Sequence, residues 1–595
     1  MTNDSLPTRS QAVIFRGKAT LLQLKRAIEN LFRDRPRRFS RVGNPDQKII
    51  AESITPLWTE KEPGEQFLQA GKIQNLRIAA RALNNLQIPA NEVFSFWKQV
   101  GKTTRGKGYV PGRELREGCI IPNIGGGLCQ LSNALYDAAL KADFEIIERH
   151  AHTQVVAGSL AEQGRDATVF WNYVDLRFRS GSTFKIEAEI DAENLIIRFR
   201  GQKPEVKQLI AISRSKPRKS DEIGSCATCG VNDCFRVVKP SKSAHEFGRT
   251  AYVVDEYSAE FDDYIQRTRQ DRDYLFIPLD GRRFRKANYR WTTSGFAKIK
   301  QSLLVTAERS YKSRRLARQG AARQQNLLLT YRKLAESFAE KLPFDCLHLV
   351  IQQNLLPFLW ENGHLGGRTF DVLMTALPMR VLQERLDFAK SMHPESTTLA
   401  DFRADEKLVA AEMKALGAAR RIITPHTEIA SLFPEKSVLL DWRMPSRKPK
   451  TAMSNPKPVI VFPAATVGRK GIYMLREAIR DLDVRLVTLG ATIEAPDFWH
   501  GFDVESGPAA DEWLEYADLV ILPAFVEHKP KRLLAAAANG IPVIATRACG
   551  VENVEGITSI DFGTEALRRE IKNILKNHER IPANQSPGQL SRVTV

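Results

Sequence analysis

Four side chains close together in the chain have the types needed for thiol chemistry: Cys129, His150, His152 and Asp166. Cys129 sits in PGRELREGCIIPNIGGGLCQLSNALYDAAL (111–140), where Gly125, Gly126 and Gly127 read as a tight turn leading into a helix over 128–140. Leu128, Leu131, Leu135 and Ala138 form the apolar stripe of that helix, while Cys129, Asn133 and Tyr136 fall on another face. A cysteine in the first turn of a helix lies at the positive end of the macrodipole, which favours thiolate. The glycine turn would let a substrate approach the backbone and would offer N–H groups to an oxyanion. A small residue packed at a crowded helix start accounts for the same residues without chemistry.

The next segment supplies partners for the thiol. In FEIIERHAHTQVVAG a strand period places Glu148, His150, His152 and Gln154 on one face. Such a face suits polar decoration or a ligand pair as well as a catalytic base. Asp166, in GRDATVFWNYVDLRFR (164–179), is expected at the mouth of another strand, where it could orient a histidine. Cys, then His, then Asp is the chain order of transglutaminase-like thiol enzymes.

A second cluster, CATCGVNDC, spaces Cys226, Cys229 and Cys234 as C-x2-C-x4-C. Three thiolates this close suit zinc or an iron–sulfur cluster, with His245 the nearest candidate for a fourth ligand. Three free cysteines beside a linker are the alternative.

The elements that must hold these groups can be read from the pattern. At 595 residues the chain is too long for one core. Hydrophobic content of 43% with 26% charged residues excludes a mainly disordered or fibrous protein. Lys+Arg 88 against Asp+Glu 69 gives a net charge of +19, which favours an anionic partner such as an anionic membrane surface or a phosphorylated substrate. Nucleic acid ranks last, because no stacking-aromatic platform or recognition motif accompanies the charge. No apolar run is long enough to span a bilayer, the first residues are polar, and seven cysteines make no disulfide framework. The expectation is therefore a cytoplasmic protein, peripheral at most to the inner membrane surface.

Composition shifts divide the chain into a basic helix and arm (1–45), a compact mixed domain (46–202) and a basic linker with the cysteine cluster (203–249). Two Rossmann-like units (250–445 and 456–580) and a tail (581–595) follow. In both units short apolar runs such as TAYVVDEY, CLHLVIQQ, PVIVFPA and ADLVILPA alternate with helical stretches, which predicts parallel sheets. One long basic helix is expected over Thr293 to Leu342.

GGGLCQLSNALYDAAL, followed in order by ERHAHTQVV and GRDATV…DLRF, resembles the VanW family over about Asp46 to Gly201. That family is named after an accessory protein of vancomycin-resistance gene clusters, and the resemblance implies a cell-envelope, peptidoglycan-related context. PKPVIVFPAATVGRKGIYMLREAIRDL (456–482) with ADLVILPAFVEHKPKRLLAAAANGIPVIATRACGVEN (517–553) is similar to the donor-nucleotide domain of retaining GT-B-type glycosyltransferases. The similarity implies a nucleotide-sugar as substrate, held by Arg469, Lys470 and Gly471 at a helix start, with Glu527 nearby. Two positions depart from that pattern: Ala465 stands where the donor-phosphate arginine falls, and Ala535 where a carboxylate opens the later helix.

The expected fold class is thus multidomain α/β: a mixed α+β VanW-like domain followed by two Rossmann-like, GT-B-type domains. The expected role is modification or handling of an envelope glycan or its lipid-linked precursor, with a degenerate glycosyltransferase module. A non-catalytic scaffold that binds glycan or nucleotide-sugar, and a Cys-His thiol hydrolase or transferase, remain the alternatives.

Overall fold

The computed structural model describes residues 9–42, 47–60, 62–116, 119–152, 159–203, 224–225, 247–315, 320–401, 403–447, 455–507 and 511–579. The chain opens with helix α1 (Arg9–Glu29), which continues through a π-helical turn at Asn30–Asp34. Its first turns, RSQAVIFRGKAT, carry the helix formers Arg, Gln, Ala and Lys and no proline.

A four-stranded antiparallel sheet follows, ordered Ile49–Pro56, Asn194–Gly201, Phe184–Ile190, Leu86–Ile88. Alternation sets its inner face: Leu195, Ile197 and Phe199 are buried together with Phe184 and Ile186. Helix α2 (Pro63–Leu83) and helix α4 (Cys129–Lys141) pack on this sheet, with the short helix α3 (Phe96–Val100) capped by Ser95 between them in sequence. Phe144, Phe178, Phe184 and Phe199 form the aromatic centre of the core. Two smaller sheets complete this region: the antiparallel pair Pro111–Arg116 and Cys119–Ile124 with Gly224–Ser225 parallel to the latter, and the trio Val93–Ser95, Arg177–Arg179, Glu145–Glu148.

The rest of the chain builds two parallel sheets. The first orders its strands as Lys298–Gln301, Tyr274–Ile277, Arg249–Val253, Cys346–Gln352, Thr369–Leu373, Arg421–Thr424, Ser437–Leu439. The second runs Val504–Ser506, Arg485–Thr488, Val459–Phe462, Leu519–Leu522, Val543–Thr546, Ile557–Ile560. In both, the strands first in sequence lie centrally and the order reverses beside them, the doubly wound Rossmann arrangement. The central strands are apolar on both faces, as burial under helices on either side demands.

The long basic helix expected over Thr293–Leu342 is instead an edge strand, Lys298–Gln301, and two packed helices, α6 (Leu303–Arg315) and α7 (Gly320–Lys341), after helix α5 (Ala259–Thr268). Polar alternation in KIKQ fits an edge strand, and Glu308 of α6 is shared between Lys312 and Lys333 across the two helices.

The two Rossmann-like units meet along the carboxyl ends of their strands. His426 Nε2 lies 3.0 Å from the Glu527 carbonyl, Trp442 Nε1 donates to the Gly550 carbonyl at 2.8 Å, and Lys529 pairs with Glu256 at 2.5 Å. Glu494 accepts from Ser396 Oγ and from the Gly468 amide, tying the second sheet to a loop of the first unit. The N-terminal region is fixed to the first unit in turn: Arg77 Nε donates to the Gly366 carbonyl, and Phe67 packs on Phe344.

Gly471 has φ +74, and a Cβ there would lie 1.8 Å from the Pro523 carbonyl oxygen. Gly471→Ala is expected to destabilise by about 2–4 kcal/mol, through left-handed strain and a backbone clash. Gly417, near the end of an ordinary helix with nothing within 4 Å, should gain a few tenths of a kcal/mol or more on change to Ala. Differential scanning calorimetry of both variants checks the contrast.

Candidate functional site

The floor of the site is the start of α4. Leu128, Leu131, Leu135 and Ala138 are buried in the core, and the opposite side of the first turn leaves Cys129 half-buried. Gly127 has φ +97, and a Cβ on it would lie 2.1 Å from Lys72 Cγ, so only glycine fits where α2 passes the turn.

Helix α4 also holds the loop that carries Asp166. Asn133 Oδ1 accepts from the Ala167 amide at 2.8 Å, and Ser132 Oγ donates to the Ala167 carbonyl at 2.5 Å. The Asp166 carboxylate accepts three hydrogen bonds: from Arg149 Nη2 (2.6 Å), the His152 amide (2.6 Å) and His152 Nδ1 (2.7 Å). Arg149 further grips the Asp166 carbonyl through Nε at 2.7 Å and stacks over Tyr136. With Nδ1 engaged by Asp166, Nε2 is the ring nitrogen left to serve a substrate, while the Cys129 thiol lies 4.0 Å from the Val169 carbonyl and lines the same cavity as His152. The structure thus gathers Cys129, His152 and Asp166 in one site.

Electrostatics follow from this geometry. Burial alone would lower the His152 pKa, but its bonds to Asp166 and Cys129 outweigh that and raise it to about 10. Burial likewise works to raise Asp166, and the hydrogen bond from His152 overrides it, holding the carboxylate below its ordinary range. Cys346 and Cys549 are different: both are buried, and burial pushes each thiol up to about 12.

His150 is not part of the constellation. The strand ends at Glu148, so the alternation that would align the two histidines stops before them. The exposed His150 ring turns to Glu148, with Nε2 3.3 Å from Oε1, while its carbonyl accepts from the Thr168 amide. Asp166 lies in a loop rather than at a strand mouth. Gln154 lies outside the described residues.

Cys129 and His152 open onto a cavity of about 560 Å³. One wall is aromatic: Trp97 and Trp171 meet edge to face at 5.4 Å, beside Phe170. The other is polar, with Lys72, Arg113 and Glu114. Lys72 donates to the Leu57 carbonyl at 2.8 Å, and burial lowers its ammonium to about 7. The amides of Gly125 and Gly126 bond the Val110 and Asn123 carbonyls, so they are taken up in the turn. Gly127, Leu128 and Cys129 remain as backbone lining the cavity. Sequence reasoning missed the tryptophans, Lys72 and Arg113. Trp97 and Trp171 reach the cavity from segments 74 residues apart, and only the fold joins them.

The residues implied for a donor nucleotide also cluster. Lys470 Nζ pairs with Glu527 Oε2 at 2.7 Å and donates to the Val526 carbonyl at 3.0 Å. Arg469, Lys470, Glu527 and His528 line a cavity of about 330 Å³ at the meeting of the two Rossmann-like units. Gly471 starts the helix Ile472–Ile479. His528 Nε2 is buried and has no hydrogen-bond partner among the described residues, and burial lowers this imidazole to about 3. Arg532 donates to the carbonyls of Pro463 and Leu489 instead of facing the cavity. Cys226, Cys229, Cys234 and His245 lie outside the described residues. Among the described residues no group of three or more His, Cys, Asp or Glu could hold a metal, and no helix is long and apolar enough to cross a membrane.

Site and fold together define a mixed α+β domain with a Cys–His–Asp constellation, joined to two doubly wound α/β units. Residues 71–200 match the family model described as VanW like protein. The chain is 39% identical over 106 residues to the uncharacterized protein YoaR of Bacillus subtilis (strain 168), covering 18% of this chain and 34% of that protein. It is 31% identical over 156 residues to the vancomycin B-type resistance protein VanW of Enterococcus faecalis (strain ATCC 700802 / V583), covering 25% and 56%. The matches thus span less than two thirds of either relative. Among solved structures, sucrose-phosphate synthase from Thermosynechococcus elongatus aligns with 56% of this chain and 90% of its own at 15% identity, TM-score 0.35. WaaG, a glycosyltransferase involved in lipopolysaccharide biosynthesis, aligns with 56% and 91% at 15% identity, TM-score 0.32. The Rossmann-like assignment itself rests on the order of the strands.

The raised pKa of His152 links this site to stability. The stabilisation from charged His152 is fully present below its ordinary value of 6.5 and is lost as pH rises through about 10. Asp166→Asn removes the main hydrogen bond that raises it. The difference in urea midpoint between wild type and Asp166→Asn is therefore expected to be largest near pH 6 and to narrow by pH 10.

Proposed function

We propose that the VanW-like domain is a thiol hydrolase or transferase acting at a carbonyl group of a cell-envelope precursor. The observation that carries the reading is that Cys129 and His152 line the same 560 Å³ cavity, with Asp166 bonded to the His152 ring behind it. In the proposed reaction Cys129 Sγ attacks the carbonyl carbon and a sulfur–carbon bond forms. Backbone N–H groups from Gly127 to Cys129, at the start of α4 and lining the cavity, would receive the developing oxyanion. His152, which carries its proton at neutral pH, gives it to the leaving group as the old bond breaks. Water or an acceptor hydroxyl or amine then gives its proton to His152 and attacks the thioester carbon, and the carbon–sulfur bond breaks to release Cys129 as the thiolate that made the first attack. Asp166 and Arg149 orient the imidazole throughout.

The envelope context is supported by the name of one relative, a vancomycin B-type resistance protein. The aromatic wall and the Lys72/Arg113 side suit a glycan or peptide precursor with an acidic group. Location in the cytoplasm, at the inner membrane surface, fits a lipid-linked form of such a precursor.

Alkylation by iodoacetamide near neutral pH tests the reading. Cys129 should label faster than Cys119, and His152→Ala should slow it about tenfold or more, a loss in line with removing one general acid–base group. Asp166→Asn should slow it less, and His150→Ala should leave it unchanged. If Cys129 labels no faster than Cys119 and no histidine change alters its rate, Cys129 is a packing residue of the helix start.

A second reading concerns the C-terminal units, favoured by the buried Nε2 of His528, partnerless among the described residues, beside Lys470 and Arg469. These groups would hold the diphosphate of a nucleotide-sugar, with Glu527 turning from Lys470 to a ribose hydroxyl. Ala535 gives the ribose no second carboxylate, which favours binding over rapid transfer. Calorimetric titration with UDP-, GDP- and ADP-sugars should give heat with at least one, lost in Lys470→Ala. Absence of heat with all of them at millimolar concentration refutes the donor site.

A further inference from the structure

Helix α1 is mounted with its faces reversed. A helix on a globular surface normally buries its apolar stripe and shows its polar face to water. In α1 the half-buried positions are Ala12, Phe15, Ala19, Gln23, Arg26, Glu29 and, just beyond, Asn30; all but Glu29 recur at three- and four-residue spacing and form one face, which Glu29 borders. That face is tied to the VanW-like domain mostly by polar groups. Arg26 pairs with Glu148, the Gln23 carbonyl accepts from Asn172 at 3.0 Å, and Asn30 and Asp34 accept from Arg177 at 2.6 and 2.7 Å. Phe15 alone makes an aromatic contact, edge to face with Phe170.

The opposite face is apolar and uncovered. Val13, Ile14, Leu21, Leu24 and Ile28 are each more than half exposed, and Phe32 extends the stripe at 69%. These positions share the side of the helix facing away from the domain. Lys18 and Lys25 flank the stripe on one side and Arg16 on the other, all exposed. Between residues 9 and 42 there are ten Lys or Arg against two acids, and Arg33 and Arg37 are largely exposed.

We propose that α1 is an in-plane membrane anchor whose apolar stripe sinks into the surface of an anionic phospholipid bilayer. The basic flanks and the arm to Arg41 would lie at headgroup level, where each cation adds attraction to an anionic surface. That charge distinguishes a bilayer from a second copy of this chain, whose identical basic stripe would repel it. The anchor also fixes orientation. Phe170, which receives Phe15 from the docked face, lines the Cys129 cavity, so that cavity would be held beside the bilayer. This last point rests on the thiol-enzyme reading; the anchor itself does not.

The test is co-sedimentation of the full chain with vesicles of phosphatidylcholine alone and of equal parts phosphatidylcholine and phosphatidylglycerol. Strong binding is expected only to the anionic vesicles, weakening with salt. Leu21→Asp with Leu24→Asp should reduce it about tenfold or more, and Lys18→Glu with Lys25→Glu should reduce it similarly. Circular dichroism and the melting temperature should stay close to wild type, because Lys18, Leu21 and Leu24 are exposed and Lys25 loses only a surface pair with Glu29. Cys129→Ser should bind as wild type does, which separates failure of the anchor from failure of the thiol chemistry. Equal binding by the Leu21/Leu24 variant, binding to neither vesicle, or a dimer abolished by the same variant would each overturn the proposal.

Discussion

The carboxylate of Asp166 is the point on which the site depends. Three donors converge on it, one from Arg149 and two from His152, and a second arm of Arg149 holds the same residue by its carbonyl. A buried carboxylate with so many donors cannot rotate, and neither can the imidazole bonded to it. The loop around it has no secondary structure of its own. Ser132 and Asn133 supply the order by bonding Ala167, so the helix that presents the thiol also positions the group that orients its partner.

The same economy of position recurs between domains. Both parallel sheets turn their carboxyl edges toward one cleft, and carbonyls at those edges, from Glu527 and Gly550, are bonded by His426 and Trp442 of the other unit. Ligand sites in open α/β sheets form at such edges because the strand order reverses there and the loops diverge. The cavity lined by Lys470 and Glu527 is in that position.

Much of this was legible in the sequence, for reasons visible in particular residues. VIVF at Val459–Phe462 and LVIL at Leu519–Leu522 read as central strands, since they are short, rich in β-branched residues, bounded by proline and apolar on both faces. The glycine turn and the helix after it were equally plain. Edge strands were harder: Lys298–Gln301 and Val504–Ser506 are polar or mixed and owe their pairing to a neighbour. The continuity of basic helix formers around them merged one such strand and two helices into a single expected helix. In the site, chain order singled out Cys129, His152 and Asp166, but choosing between His150 and His152 required knowing that the strand ends at Glu148. Lys72 and the two tryptophans carried no local signal, because their roles arise from contacts across the fold.

The crowding of Gly127 by Lys72 has one more implication. The stem of a lysine from α2 fills the space that a side chain at 127 would occupy, so two positions 55 residues apart share the volume of one residue. The glycine turn is thus half of a lock whose other half is a buried, weakly basic ammonium in the wall of the cavity. Shortening residue 72 would free the turn to move and would remove a donor from the cavity in the same stroke. The shape of the pocket and its charge are therefore not separately adjustable: any descendant of this sequence that alters one must alter the other.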